Sequence, residues 1–356
     1  MAYCLGPKEA ERLFQLLRER VQIFGPVETE EQALDGRALV AYREVEHFDQ
    51  LVWDRLADRP AKEAISPLKE MMLYFKDDQA LPAEGWEKDR LIFARPCDVV
   101  SQEIQDNIFL KNGGLVDAYY QRAIARTHFA MMECQGEERN CFCLSMGGVE
   151  NDRWAIACKR TEDGGLMAEV KEENWQGLFD QAGAEEAAYR FSYVEENDLQ
   201  AERPDLSDEE VRRAVMEDSL WEMYGNLCVN ALQCTATCPT CTCFTIYDEL
   251  GQGADWDAVR YRKHASCMGE DYERMAKQKG MRQDNAARTR FRVMHKVYDY
   301  EARFGGRPMC TGCGRCINNC PKHINIVMIM KQMKRAAEKY QKEKETSGAI
   351  SQGGDQ

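Results

Sequence analysis

The sequence has no long hydrophobic run, and this absence limits where the protein can work. No window contains the roughly 20 consecutive apolar residues that a membrane-spanning helix requires. The first residues lead into Lys8, Glu9 and Glu11 without the basic region and apolar stretch of a signal peptide. We therefore expect a cytoplasmic protein with no membrane partner.

Positive charge is also scarce relative to negative charge. The 356 residues include 47 Lys and Arg against 61 Asp and Glu, which gives a formal net charge of -14. Nucleic-acid binding needs a surplus of Lys and Arg on one surface, so this balance argues against it. The glycine pairs Gly113-Gly114 and Gly147-Gly148 do not form the G-x-G-x-x-G pattern of a dinucleotide site. The expected partners are proteins or small molecules.

The chain length favours two domains, and the apolar pattern predicts an α+β fold. Residues 1–205 are predicted to form a mixed α/β domain that begins with a helix from Pro7 to Arg20. Gly164-Gly165 is predicted to be a hairpin turn. Short apolar runs bounded by turn residues predict strands at residues 91–94, 130–132 and 154–157.

A second, helical domain is predicted for residues 206–346, after a polar linker that contains Pro204. Ser207 is expected to cap its first helix, with Glu210 completing a capping box. A basic amphipathic helix is predicted from Ile324 to Lys344. Residues 347–356 are predicted to be a disordered tail.

The sequence contains 16 cysteines, which in a reducing compartment indicate metal binding or catalysis rather than disulfides. One run, Cys310-Thr-Gly-Cys313-Gly-Arg-Cys316-Ile-Asn-Asn-Cys320-Pro321, has the spacing C-x2-C-x2-C-x3-C-P. This spacing is typical of proteins with two cubane clusters, in which three thiolates bind one cluster and the fourth binds the other. Gly312 and Gly314 are expected to bring backbone N-H groups close to the inorganic sulfurs. The alternative, a zinc site, usually has paired C-x2-C knuckles.

An earlier run, Cys228-Val-Asn-Ala231-Leu-Gln-Cys234-Thr-Ala-Thr-Cys238-Pro239, has the same frame with alanine at its second ligand position. The cluster of Cys228, Cys234 and, by the crossing rule, Cys320 therefore lacks one thiolate. Either it is a [3Fe-4S] centre or another group fills the position, and the nearest spare thiols are Cys241, Cys243 and Cys267. The other interpretation is a relic that binds nothing.

The complete [4Fe-4S] cluster is predicted to be bound by Cys310, Cys313, Cys316 and the crossing Cys238. A long stretch of apparently helix-forming sequence separates the two runs, including residues 256–259 and 272–279. A helical ferredoxin domain is therefore expected rather than the compact β-rich bacterial ferredoxin.

A third cluster is predicted in the first domain, where four thiols follow two predicted strands. They are Cys97, Cys134, Cys141 and Cys143. Thiols at strand ends can converge on one site, and a C-x-C pair after a polar loop is unusual for packing alone. The competing interpretation is that these cysteines are buried as small apolar residues.

Five motifs occur in one order along the chain: Arg95-Pro96-Cys97-Asp98, Cys141-Phe-Cys-Leu-Ser-Met-Gly147, Cys238-Pro-Thr-Cys-Thr-Cys-Phe244, Ala265-Ser-Cys-Met268 and the run that ends at Pro321. Together they resemble the iron-sulfur electron-transfer subunit of anaerobic sulfite reductase, and the β subunits of sulfhydrogenases are similar. The resemblance extends from about Ser66-Pro67 to Pro321. Ala231 departs from the family pattern, which has Cys there.

The resemblance implies a cytoplasmic complex in which this chain passes electrons from a flavin-containing, NADH-oxidising subunit to a sirohaem-containing sulfite reductase subunit. The chain itself would bind no sulfite. A related alternative is the electron-transfer β subunit of a sulfhydrogenase-like complex. Two others are an enzyme with its own substrate site near Cys97 and Asp98, and a purely structural role for the metals.

Overall fold

The computed structural model describes residues 1–134, 139–251, 256–274 and 280–352, with backbone alone for residues 347–352. The chain divides into two compact units that interleave in sequence. The first unit contains Met1–Glu138, Val149–Asn197 and Ala236–Ser266, and the second contains Arg139–Gly148, Asp198–Thr235 and Cys267–Gln356. The sequence predicts that residues 1–205 and 206–346 fold as separate domains, and this stays a prediction.

The first unit is built on a mixed eight-stranded sheet. The strands are β1 (Ala2–Leu5), β2 (Gln22–Gln32), β3 (Ala38–Glu44), β6 (Arg90–Ala94), β7 (Thr127–Met132), β8 (Ile156–Arg160), β9 (Leu166–Val170) and β10 (Glu185–Glu186). Their order across the sheet is β10-β1-β9-β8-β7-β6-β2-β3. The central pairs β2-β6, β6-β7 and β7-β8 are parallel, and the outer pairs are antiparallel.

Helices pack on this sheet, and apolar residues of the helices and the strands together form two cores. Helix α1 has the predicted bounds Pro7–Arg20, and its Leu13, Phe14 and Leu17 are buried against the sheet. The predicted hairpin at Gly164-Gly165 is present, because Arg160 of β8 pairs with Leu166 of β9. The other helices of this unit are α2 (Pro96–Leu110), α3 (Ala118–Ala125) and α4 (Glu173–Ala182).

A second, four-stranded antiparallel sheet also belongs to the first unit. Its strands are β4 (Lys69–Lys76), β5 (Gln79–Pro82), β11 (Phe244–Leu250) and β12 (Ala258–His264), in the order β11-β12-β4-β5. The helix expected near residues 256–259 is therefore wrong, since this segment enters β12 and pairs with β4. Arg262 of β12 forms ion pairs with Glu70 and Asp117, which are far away in sequence. Of the predicted helix at 272–279, residues 275–279 lie outside the described residues.

The regular elements described in the second unit are helices around one core that includes Val215, Trp221, Val293, Ile329 and Met333. These helices are α5 (Glu209–Glu217), α6 (Leu220–Leu227), α8 (Asn285–Met294), α9 (Tyr300–Phe304), α10 (Arg315–Asn318) and α11 (Ile326–Gln352); the short α7 (Gln233–Ala236) ends where the unit boundary falls. A mixed α/β N-terminal part and a ferredoxin-like C-terminal domain confirm the predicted fold class.

The start of α5 differs by one residue from the prediction. Asp208, not Ser207, is the N-cap, and its carboxylate accepts hydrogen bonds from the backbone N-H groups of Val211 and Glu210. These bonds lower the pKa of Asp208. Ser207 instead donates its hydroxyl to Asp205 at 2.7 Å. Both residue types are good N-caps. Asp208 serves here, because the hydroxyl of Ser207 is already bonded to Asp205.

At the C terminus, α11 continues to Gln352, past residue 347 where a disordered tail is expected, and residues 353–356 lie outside the described residues. Over the described ranges, no helix combines the length and apolar character needed to cross a membrane.

Candidate iron-sulfur centres

Cys228, Cys234 and Cys320 line one cavity in the second unit. They are the three residues that the crossing rule assigns to one cluster. Ala231, the position without a thiolate, lines the same cavity, as does Cys316, which the sequence assigns to the other cluster. The three thiols thus share a space even though Cys320 is distant in sequence from the other two.

The backbone of the first run holds this arrangement through two left-handed residues. Asn230 and Leu232 both have a φ of 59°. Helix α7 then begins at Gln233, and the backbone N-H of Thr235 donates to the carbonyl of Leu232 at 3.1 Å. This tight turn brings the ends of the C-x5-C segment back to the same cavity.

Helix α8 anchors the first run by two side-chain hydrogen bonds. Asn285 Nδ2 donates to the carbonyl of Cys228 at 3.0 Å, and Arg292 Nη2 donates to the carbonyl of Cys234 at 3.1 Å. Thr289, between them on the same helix, lines the cavity. Sequence reasoning missed these three residues, although polar groups four and three positions apart on one face of a helix were a usable signal.

The second run places its first three cysteines around helix α10. Gly314 is the left-handed N-cap of this helix, and Cys313 is buried. The backbone N-H of Gly312 points at Cys310 Sγ over 3.4 Å, a contact of the kind that stabilises thiolate ligands. The thiol of Cys320 receives a similar contact from the N-H of Ile324 at 3.3 Å.

The two glycines of this run are required by a close neighbour of their own unit. A Cβ on Gly312 would lie 2.6 Å from the carbonyl of Phe142, and one on Gly314 would lie 2.6 Å from the carbonyl of Asn140. The N-H of Phe142 donates to the carbonyl of Gly312 at 2.8 Å. Glycine is therefore needed for the packing of residues 139–143 as well as for its left-handed φ.

Residues 238–243 belong to the first unit, where two buried side chains of that unit hold them. Lys62 Nζ donates to the carbonyl of Cys241 at 2.8 Å, and Gln105 Nε2 donates to the carbonyl of Pro239 at 2.7 Å. Cys238 Sγ lies 3.3 Å from the hydroxyl of Thr240. Cys241 and Cys243 are both half-buried. Lys62 brings a buried positive charge to this cysteine-rich segment.

His264 lines a small cavity together with Cys241, Lys62 and Ser66. Burial, with the nearby charges of Lys62 and Arg262, lowers the pKa of His264 to about 4. The imidazole is therefore neutral at pH 7.

Cys97 and Cys134 lie at the same edge of the eight-stranded sheet. Cys97 lies three residues after Ala94 of β6 and Cys134 three residues after Met131 of β7, and these two strand residues are in register. Carboxyl ends of parallel strands are where ligands bind in sheets of this kind. Arg95, which is buried, donates to the carbonyl of Glu133 beside Cys134.

Asp98 is fully buried and already hydrogen-bonded. Its carboxylate accepts from the hydroxyl of Tyr42 at 3.4 Å and from the N-H of Ala61 at 3.3 Å. These bonds give Asp98 a role in holding the fold, and they disfavour it as a substrate-binding group.

Two predicted ligand sets have members in both units. Cys238 belongs to the first unit, and Cys310, Cys313 and Cys316 belong to the second. The proposed third set is divided in the same way, since Cys97 and Cys134 are in the first unit and Cys141 and Cys143 are in the second. Both sets stay predictions.

Within the described ranges, no three His, Cys, Asp or Glu side chains are grouped as the ligands of one metal ion would be. A cubane cluster makes a different demand, because each of its thiolates binds a different iron.

Comparison with known proteins agrees with this location of the cysteines. Residues 227–324 match the family described as the 4Fe-4S dicluster domain. The chain is also homologous to sulfhydrogenase 2 subunit beta of Pyrococcus furiosus, with 28% identity over 334 residues, which cover 90% of this chain and 95% of that protein. The dicluster match contains both cysteine runs and supports iron-sulfur clusters in this part of the chain. The specific likeness to anaerobic sulfite reductase receives no support from these matches.

Proposed function

We propose that this chain is an iron-sulfur electron-transfer subunit of a multi-subunit redox complex. The observation that supports it most is the shared cavity of Cys228, Cys234 and Cys320 inside the region that matches a 4Fe-4S dicluster domain. We assign these three thiols to one cluster and Cys238, Cys310, Cys313 and Cys316 to a second. The clusters, when bound, would supply one-electron redox chemistry.

The chain's own residues hold and tune these centres. Backbone N-H groups at Gly312 and Ile324 point at thiolate sulfurs, and such contacts stabilise the reduced form and raise the potential. The buried apolar residues Ile317, Ile329 and Met330 lie in the same core as the half-buried Cys310 and Cys316. This apolar surrounding keeps water away and lowers the local dielectric constant, which also affects the potential.

The proposal also identifies the subunits with which this chain exchanges electrons. The relative is named as a subunit of a sulfhydrogenase, so we propose that this chain too works beside other subunits. The motif resemblance favours a flavin-containing, NADH-oxidising donor and a sirohaem sulfite reductase acceptor. A sulfhydrogenase-like complex is the second candidate, favoured by homology over 90% of the chain.

A third centre with Cys97, Cys134, Cys141 and Cys143 is also proposed. Support comes from the common edge and register of Cys97 and Cys134. A fragment ending near residue 205 is a poor test, because it would lack β11 and β12, which complete the smaller sheet of the first unit. Iron counting on the full chain with Cys97→Ala and Cys134→Ala tests the site directly. Unchanged iron content in both variants would show that these thiols are structural.

The main experiment is anaerobic purification followed by iron and acid-labile sulfide analysis and EPR. We expect at least two clusters per chain, and zinc with negligible sulfide would refute the proposal. The isolated chain should not turn over sulfite with an artificial electron donor, since the substrate site would be in a partner. Turnover without partners would contradict the electron-transfer role.

A further inference from the structure

The cavity of Cys228, Cys234 and Cys320 is also lined by polar side chains that are not cluster ligands and have no assigned role. Thr289, which is 4% exposed, lines the cavity, and its Oγ1 has no hydrogen-bond partner among the described residues. Asn230 lines the same cavity, and within the described ranges its buried Oδ1 is also unpaired. Buried polar atoms are normally paired, so two such atoms around one cavity indicate a missing partner there.

Both side chains can hydrogen-bond to a sulfur ligand. The hydroxyl of Thr289 can donate to sulfur, and the amide of Asn230 can donate through Nδ2 once its end group turns by about 180°, which exchanges Oδ1 and Nδ2. Ala231, next to Asn230 on the cavity, provides the opening, because its methyl group cannot bind iron and the residue is exposed.

The charges around the cavity define the ligand further. Lys322 and Arg292 both line it, which favours an anion. The position that Ala231 occupies is a thiolate position in the second run, and iron in such clusters prefers soft sulfur donors. The smallest species that is anionic and binds through sulfur at neutral pH is hydrosulfide.

We propose that the cluster corner beside Ala231 is an open coordination site for hydrosulfide, with Asn230 and Thr289 as its hydrogen-bonding partners. Binding forms one iron-sulfur bond through a sulfur lone pair and changes no oxidation state. The proposal rests on the proposed function, because it requires a cluster bound by Cys228, Cys234 and Cys320. Cys316 is the competing occupant of the corner, since it lines the same cavity.

The test uses the full chain, reconstituted anaerobically in buffer without thiols and titrated with sodium hydrosulfide. We expect a saturable change in the EPR spectrum of one reduced cluster and slower loss of one iron to a chelator. Ala231→Cys should abolish both effects by closing the corner. Thr289→Val and Asn230→Gly should each raise the half-saturating concentration about tenfold, the usual effect of one lost hydrogen bond. Thr289→Ser should restore it.

Three outcomes would overturn the inference. If the EPR spectrum does not change when hydrosulfide is added to protein with its full cluster content, Cys316 or another residue closes the corner. If the half-saturating hydrosulfide concentration is the same in the wild type, Thr289→Val and Asn230→Gly, the two residues do not contact the ligand. An unchanged response in Ala231→Cys places the ligand elsewhere. Absence of the cluster itself, seen as missing iron and sulfide, would instead refute the proposed function.

Discussion

The two cysteine runs have the same backbone and different side chains. Asn230 and Leu232 in the first run, with φ of 59°, correspond to Gly312 and Gly314 in the second, with φ of 67° and 74°. A four-residue helix follows in both, closed by the N-H of Thr235 on Leu232 in one and of Ile317 on Gly314 in the other, at 3.1 and 2.9 Å. The first run has therefore kept the geometry of a ligand loop that lacks a ligand.

The difference between the runs shows which constraints come from the loop and which come from its surroundings. Glycine is needed in the second run because residues 139–143 leave no room for a Cβ. The first run has a leucine at a φ that costs a bulky residue about 1–2 kcal/mol. Strain of this kind persists where the surrounding structure fixes it, and it is concentrated at functional sites. The retained conformation therefore argues against a relic without function.

The largest expected difference between the runs is the number of irons lost when the first cysteine of each run is replaced by alanine. Cys228→Ala would leave two thiolates on the incomplete cluster, so the whole cluster of about four irons should be lost. Cys310→Ala would leave three on the complete cluster, so about one iron should be lost. Iron and sulfide per chain after anaerobic purification measure both. Cys158→Ala, in the apolar core, should leave the iron content unchanged.

Equal losses in Cys228→Ala and Cys310→Ala would mean that the two clusters have the same number of ligands. Another residue would then already complete the first one.

The next effect concerns a single iron at the Ala231 corner. Without an external ligand this iron has no protein thiolate, so mild oxidation should release it and leave a three-iron centre, which is paramagnetic when oxidised. EPR of the oxidised protein should show this signal in the wild type and not in Ala231→Cys. Ala231→Val is the matched control, since it adds a side chain of similar size that has no atom able to bind iron. If the wild type lacks the signal and Ala231→Cys has unchanged iron content, the corner is not open.

A smaller effect is expected in the stability of the two loops. Gly312→Ala should lower the free energy of unfolding by about 2–4 kcal/mol, because it adds left-handed strain and pushes the backbone of Phe142 and Cys143 away. The matched change Asn230→Ala should cost only about 1 kcal/mol, since it adds no such clash. Denaturant unfolding under anaerobic conditions compares them. Similar losses at both positions would mean that the close approach of residues 139–143 does not determine the choice of glycine.

Sequence reasoning identified the parts of the molecule whose signal is local. Helix α1, strands β6 and β7 and both ligand loops follow from short-range periodicity and spacing. Strands β11 and β12 were missed because β4, the partner of β12, is distant in sequence and because Ile246 and Leu250 of β11 are exposed. The contribution of α8 to the site depends on packing against the first run, which spacing alone does not encode. Ala231 was recognised from the spacing, whereas Asn230 becomes notable only through the burial of its Oδ1.

The smallest effect tests the left-handed position of Leu232 directly. Leu232→Ala and Leu232→Gly remove the same apolar contacts, so the difference between them isolates the backbone. Glycine avoids a strain of about 1–2 kcal/mol but costs about 0.5–1 kcal/mol of unfolded-state entropy. Leu232→Gly should therefore be more stable than Leu232→Ala by roughly 0.5–1 kcal/mol, and both should retain their iron.

Leu232→Pro completes this series, because its ring fixes φ near about -65° and prevents the left-handed turn. If the ligand loop requires that turn, Leu232→Pro should lose the incomplete cluster while the second run keeps its iron. Equal stability of the glycine and alanine variants, together with full iron in Leu232→Pro, would show that residue 232 is not left-handed in the working protein. In that case the first run would not share the geometry of the second, and the case for a functional loop would rest on its three thiols alone.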